Sequence, residues 1–82
     1  MTDTYERIRQ LLVDLLGIDA DRITPQSRLV EDLQADSLDQ IEFVLMLEDA
    51  FGCPIPDEEI RYVQAGVHDT VQYIEQGFHK VG

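Results

Sequence analysis

One side chain stands where its type and neighbours suit chemistry: Ser37, in the run Glu31-Asp32-Leu33-Gln34-Ala35-Asp36-Ser37-Leu38-Asp39. Serine is common at helix N-termini for capping alone. Here the hydroxyl also ends a long irregular stretch and is flanked by acids, a setting that suits covalent modification. A phosphate ester formed on it would face the positive end of the following helix and its unpaired N–H groups. Other chemistries find little support. His68 and His79 are eleven positions apart and Cys53 is distant from both, so no zinc spacing is met. Asp19-x-Asp21 lacks the turn glycine and remaining ligands of a calcium loop. There is no Gly-rich phosphate cradle, and no base or oxyanion arrangement accompanies Ser37 as a nucleophile. The histidines read as exposed helix or tail positions, and Cys53 as a buried filler. Neither an enzyme nor a metal site is expected.

Charge narrows the partners. Of 82 residues, 17 are acidic and 6 are Lys or Arg, a net charge of −11. Nucleic-acid binding needs clustered bases to neutralise phosphate, and anionic membrane surfaces would repel this chain. Residues 29–60 hold ten acids and no Lys or Arg, so nearly all the net charge lies in one segment around and after Ser37. Charge so placed repels itself in the folded state and attracts basic partners at range. The longest apolar run, Phe43 to Leu47, is far too short to span a membrane, and the first ten residues do not read as a signal peptide. A single cysteine excludes an internal disulfide framework and fits a reducing cytoplasm. The length allows one small domain, and 44% apolar residues are enough for a core.

The elements that position Ser37 follow from spacing. Ile8, Leu11, Leu12, Leu15 and Leu16 form a core-facing helical stripe, predicting a helix over 4–16 with Asp3 and Glu6 as a capping box and Gly17 as its stop. Residues 17–36 read as a long loop pinned by Ile18, Ile23, Leu29 and Leu33. A second helix is predicted over 37–51 with Asp36 as N-cap. It is apolar on two faces. Phe43, Val44, Leu47 and Phe51 make one stripe; Leu38, Ile41 and Leu45 make another, flanked by Glu42, Glu48 and Asp49. The bordering acids point to the second face as a docking surface rather than core. A short helix over 57–62, with acids at its start, and a last helix over 67–77, with Val67, Val71, Ile74 and Phe78 at helical spacing and Gly77 as the alternative stop one residue before Phe78, complete the pattern. No segment alternates like a strand. The expected fold is all-α: a small four-helix bundle, three longer helices and one short, with a long first connection, forming a single domain over 1–82.

The stretch Asp32-Leu33 … Ala35-Asp36-Ser37-Leu38-Asp39 … Glu42 … Leu47-Glu48 … Phe51 … Ile55-Pro56-Asp57-Glu58-Glu59 strongly resembles the acyl carrier protein family, and the likeness reaches helix one and Tyr73-Ile74. The resemblance implies that Ser37 receives a 4′-phosphopantetheine arm from coenzyme A by the action of a phosphopantetheinyl transferase and magnesium. Acyl groups would then ride as thioesters on the arm's sulfur, for fatty-acid, polyketide or related lipid synthesis. By the same likeness Asp36, Leu38 and Asp39 present the serine. Leu38, Ile41, Glu42, Leu45, Glu48 and Asp49 meet acyl-synthesis and acyl-transfer enzymes with basic patches, and Val44, Leu47 and Phe51 shelter the chain. A freestanding cytoplasmic monomer is implied. Where the family usually has Gly this chain has Gln34, which costs about 1 kcal/mol if the backbone there needs φ > 0. Gly66 stands where a Thr cap is common. The rivals are an aminoacyl or peptidyl carrier, which usually shows Gly-Gly in place of Ala35-Asp36, and an unmodified acidic helical adaptor for basic proteins.

Overall fold

A computed structural model describes residues 3–77, apart from the Tyr62 side chain. Its regular elements are all helical, with no strand among the described residues: α1 (Asp3–Leu16), a 3-10 turn (Ala20–Arg22), α2 (Ser37–Phe51), a second 3-10 turn (Asp57–Glu59), α3 (Ile60–Gln64) and α4 (Val67–Gly77). Helix α1 packs on α2 and α4, and α3 contacts α2 and α4. The predicted α1 stripe turns inward, with Ile8 and Leu12 buried and Leu11, Leu15 and Leu16 packed at its edge; Tyr5, absent from that stripe, is buried as well. Asp3 is already helical and Glu6 turns to Arg9 at 3.6 Å, so that pair is not the capping box expected of it.

The short helix differs from its expected span. Asp57, Glu58 and Glu59 form a tight turn closed by Glu59 N–H donating to the Pro56 carbonyl at 2.8 Å, and α-geometry starts only at Ile60. Three successive acids offer the core nothing to bury; Ile60 and the fully buried Val63 do. Phe78 and His79 lie outside the described residues.

The long connection is pinned rather than loose. Ile23, Leu29, Leu33 and Ala35 are buried anchors. Tyr5 OH donates to the Ile23 carbonyl (3.2 Å) and Arg9 Nε to the Ala20 carbonyl (3.0 Å). The far end of the chain holds it too: Val67 and His68, at the start of α4, donate their N–H groups to the carbonyls of Ser27 (2.9 Å) and Pro25 (3.0 Å). These acceptors satisfy amides that a helix start would otherwise leave unpaired. Thr70, fully buried, has its Oγ1 at 2.7 Å from both the Val63 and Gly66 carbonyl oxygens, so its one proton is shared between them. It ties the end of α3 to the start of α4.

Two backbone positions carry measurable consequences. Nested bonds from Gln34 N–H to the Val30 carbonyl (3.1 Å) and from Ala35 N–H to the Leu29 carbonyl (2.8 Å) reverse the chain and put Gln34 at φ 60°, the sole positive-φ residue other than glycine among those described. At Gly66 the loop runs so close that an added Cβ would lie 2.9 Å from the Ser27 carbonyl oxygen. Gln34→Gly should raise the unfolding free energy by about 1 kcal/mol, and Gly66→Ala should lower it by about 1–3 kcal/mol through forced backbone shift. Urea titration of each variant measures both.

Candidate functional site

The entry into α2 builds the site. Leu33 and Ala35 are buried, and past Ala35 the chain turns outward at Asp36. Asp36 is extended at the N-cap (φ −88°, ψ −175°), and its Oδ1 accepts from Asp39 N–H at 2.8 Å. Asp39 Oδ2 reciprocates, accepting from Asp36 N–H at 3.2 Å. The Asp36 carbonyl takes the first intrahelical bond, from Gln40 N–H (3.0 Å). This capping box makes Ser37 the first residue of α2, with its side chain exposed and its hydroxyl uncommitted to any hydrogen bond among the described residues. The Ser37 and Leu38 amides have no intrahelical acceptor, so they face outward at the helix's positive end. An accessible hydroxyl, beside free amides and on a fixed backbone, fits a phosphodiester linkage. Sequence reasoning placed Asp36 as the cap; that Asp39 closes the box is a feature of three-residue spacing usually associated with Glu or Gln.

The two faces of α2 separate as their spacing predicted. Phe43, Val44 and Leu47 are buried, while Leu38, Ile41 and Leu45 stay 62%, 56% and 58% exposed. Glu42 and Asp49 are exposed alongside them. Glu48 is half-buried, and its Oε2 accepts from Ile55 N–H at 2.7 Å. The C-terminal end is held by Gly52 at φ 61° and by Arg7 of α1, whose Nη2 donates to the Ala50 carbonyl (2.8 Å) while its guanidinium lies 4.3 Å from the Phe51 ring centre. A cation at a helix C-terminus is favourably placed. Nothing local in the sequence marks this clamp, since its partners are 43 positions apart.

Between α2 and residues 55–64 runs a groove of about 220 Å³, lined by Ile41, Val44, Leu45, Glu48, Ile55, Asp57, Ile60 and Gln64. Of the three residues expected around an acyl chain, Val44 lines this groove and Leu47 and Phe51 do not. Leu47 is fully buried in the core, and Phe51 sits under Arg7. Ile55 and Ile60 line it from the side opposite α2. A wider cleft of about 410 Å³ lies between residues 25–31 and 64–69 and includes no residue of α2. Cys53 is buried with its thiol pushed above its ordinary value, by burial first and then by Glu48 and Glu59. Tyr73 is pushed up likewise, by burial and by its 2.6 Å hydrogen bond to Glu59 Oε1. Both groups are held protonated, which suits filler and tether rather than nucleophile. No cluster of three or more His, Cys, Asp or Glu among the described residues is placed to hold a metal ion, and none of their helices is long and apolar enough to cross a membrane.

These features define a helical domain built to expose one serine at a capped helix start. A family profile described as a phosphopantetheine attachment site matches residues 6–74. The acyl carrier protein of Helicobacter hepaticus is 47% identical over 73 residues, covering 89% of this chain and 95% of that protein. That of Akkermansia muciniphila is 44% identical over 71 residues, covering 87% and 88%. A solved structure of the acyl carrier protein from Enterococcus faecalis, described for its high thermal stability, superposes with a TM-score of 0.72 at 37% identity, covering 90% of this chain and 95% of that one. The chain belongs to the acyl carrier proteins of the phosphopantetheine-attachment family. Its cofactor is accordingly 4′-phosphopantetheine, and it is a carrier rather than an enzyme, modified by a phosphopantetheinyl transferase and served by acyl-handling enzymes.

Proposed function

We propose that Ser37 is the attachment point of the arm, and that the chain works as one monomeric carrier domain, a bundle of α1, α2 and α4 with the Asp57–Gln64 segment as its short fourth member. The observation that carries this reading is the exposed, uncommitted Ser37 hydroxyl at the start of α2, fixed by the Asp36–Asp39 box. When bound, the arm supplies a terminal thiol that holds the acyl group as a thioester. The chain's own residues do the rest. Asp36 and Asp39 hold the backbone on either side of Ser37, and the Ser37 and Leu38 amides face the ester phosphate. Leu38, Ile41 and Leu45 offer an apolar docking face, with Glu42, Glu48 and Asp49 steering basic patches of acyl-synthesis and acyl-transfer enzymes toward it. The buried thiol of Cys53 suits the reducing cytoplasm we assign to the protein.

Val44, Ile55 and Ile60 make the groove beside α2 the shelter for the acyl chain. Each methylene buried there contributes at most about 0.8 kcal/mol, before the cost of opening the groove. A chain so held is protected yet removable.

Incubation with a promiscuous phosphopantetheinyl transferase, coenzyme A and magnesium should raise the intact mass of the protein by one phosphopantetheine. Ser37→Ala should show no increase. A wild-type protein that remains unmodified contradicts the carrier reading and favours an acidic adaptor.

A further inference from the structure

Glu48 stands where the docking face meets the groove. It lies three residues beyond Leu45 and seven beyond Ile41, on the same side of α2. Its carboxylate also crosses to the opposite wall of the groove, accepting from Ile55 N–H at 2.7 Å, and both residues line the cavity. Ile55 sits between Pro54 and Pro56. Neither proline has an N–H, so Ile55 carries the one main-chain donor of that tripeptide, and Glu48 holds it. A short bond from an amide to an ionised carboxylate is of the stronger kind.

We infer that Glu48 is a positioning residue, a clasp whose bond to Ile55 N–H holds the groove wall and for which a basic group on a docking partner competes, so that docking loosens the shelter of the acyl chain. This rests on the carrier reading of Ser37 and on the groove as the chain's shelter. While Glu48 bonds Ile55, the Pro54–Ile55–Pro56 wall is tied to α2. When an arginine or lysine draws the carboxylate outward, the wall loses its one main-chain donor bond to α2 and moves away from the helix. The closed and open states differ by a single charge-assisted bond, a difference that each encounter can reverse.

Amide hydrogen exchange tests the clasp, with Leu47 as the internal reference for global opening. In the unloaded protein, Glu48→Ala should speed exchange at Ile55 by about tenfold relative to Leu47. Glu48→Gln keeps an oxygen acceptor and should change that ratio far less. Saturating hexa-arginine peptide at low salt should speed Ile55 exchange in the wild type but not in Glu48→Gln. On protein loaded with an octanoyl arm, Glu48→Ala should raise the rate of thioester cleavage by neutral hydroxylamine several-fold. Equal acceleration at Ile55 and Leu47, or an Ile55 rate that the peptide leaves unchanged or slows, overturns the inference. If Ser37 takes no arm, the carrier reading fails, while the exchange ratios still decide whether the clasp exists.

Discussion

Helix α2 carries more apolar surface than the core of so small a domain takes in, and the consequences run through the whole structure. Phe43, Val44 and Leu47 are sealed inside, while Leu38, Ile41 and Leu45 stand in water on the other side. Leaving three large aliphatic side chains exposed forgoes a few kcal/mol of burial that an inward-facing arrangement would recover. The helix must therefore be fixed at both ends so that it does not roll its second face inward. The Asp36–Asp39 box does this at the N-terminus; Gly52 and the Arg7 contacts to Ala50 and Phe51 do it at the C-terminus. Ser37 inherits its position from the first of these devices, and the groove inherits its wall from the Glu48–Ile55 bond.

The same logic explains the placement of charge. The ten acids of residues 29–60 repel one another, which opposes folding, and no Lys or Arg within the segment relieves them. Part of that cost is offset where acids act as hydrogen-bond acceptors: Asp36 and Asp39 at a helix start, Asp32 Oδ2 from Arg28 N–H at 2.9 Å, Glu48 from Ile55 N–H, and Glu59 from Tyr73 OH. Among the rest, Glu42 and Asp49 are exposed beside the apolar face of α2.

Periodic features were legible before the structure was known. The α1 stripe, the two faces of α2 and the Asp36 cap all follow from spacings of three and four residues, because an α-helix repeats at that interval. Gln34 was legible in a different way: a side chain where the family usually has glycine signalled the positive φ that the structure shows. What escaped were contacts made across the fold. Arg7 on Ala50, Tyr5 on Ile23 and the loop carbonyls that receive the first amides of α4 join residues distant in sequence and follow no period. The lining of the groove follows no period either: Val44 lies on the inward stripe of α2, whereas Ile55 and Ile60 come from a different segment. The short helix was misplaced because acids at 57–59 resemble a favourable helix start, whereas the helix begins where apolar residues can be buried.

The central claim is that the outward face of α2, apolar and fringed with acid, is where partners meet the carrier. The most direct test is the kcat/KM of phosphopantetheinyl transferase on the unmodified protein as salt is raised, with Glu42→Lys measured beside the wild type. As the screening length falls from about 30 Å to about 3 Å, the wild-type value should drop by roughly tenfold or more. Glu42→Lys should start lower and converge with it at high salt. A wild-type kcat/KM independent of salt, or a Glu42→Lys protein modified as fast as wild type at low salt, would contradict the account.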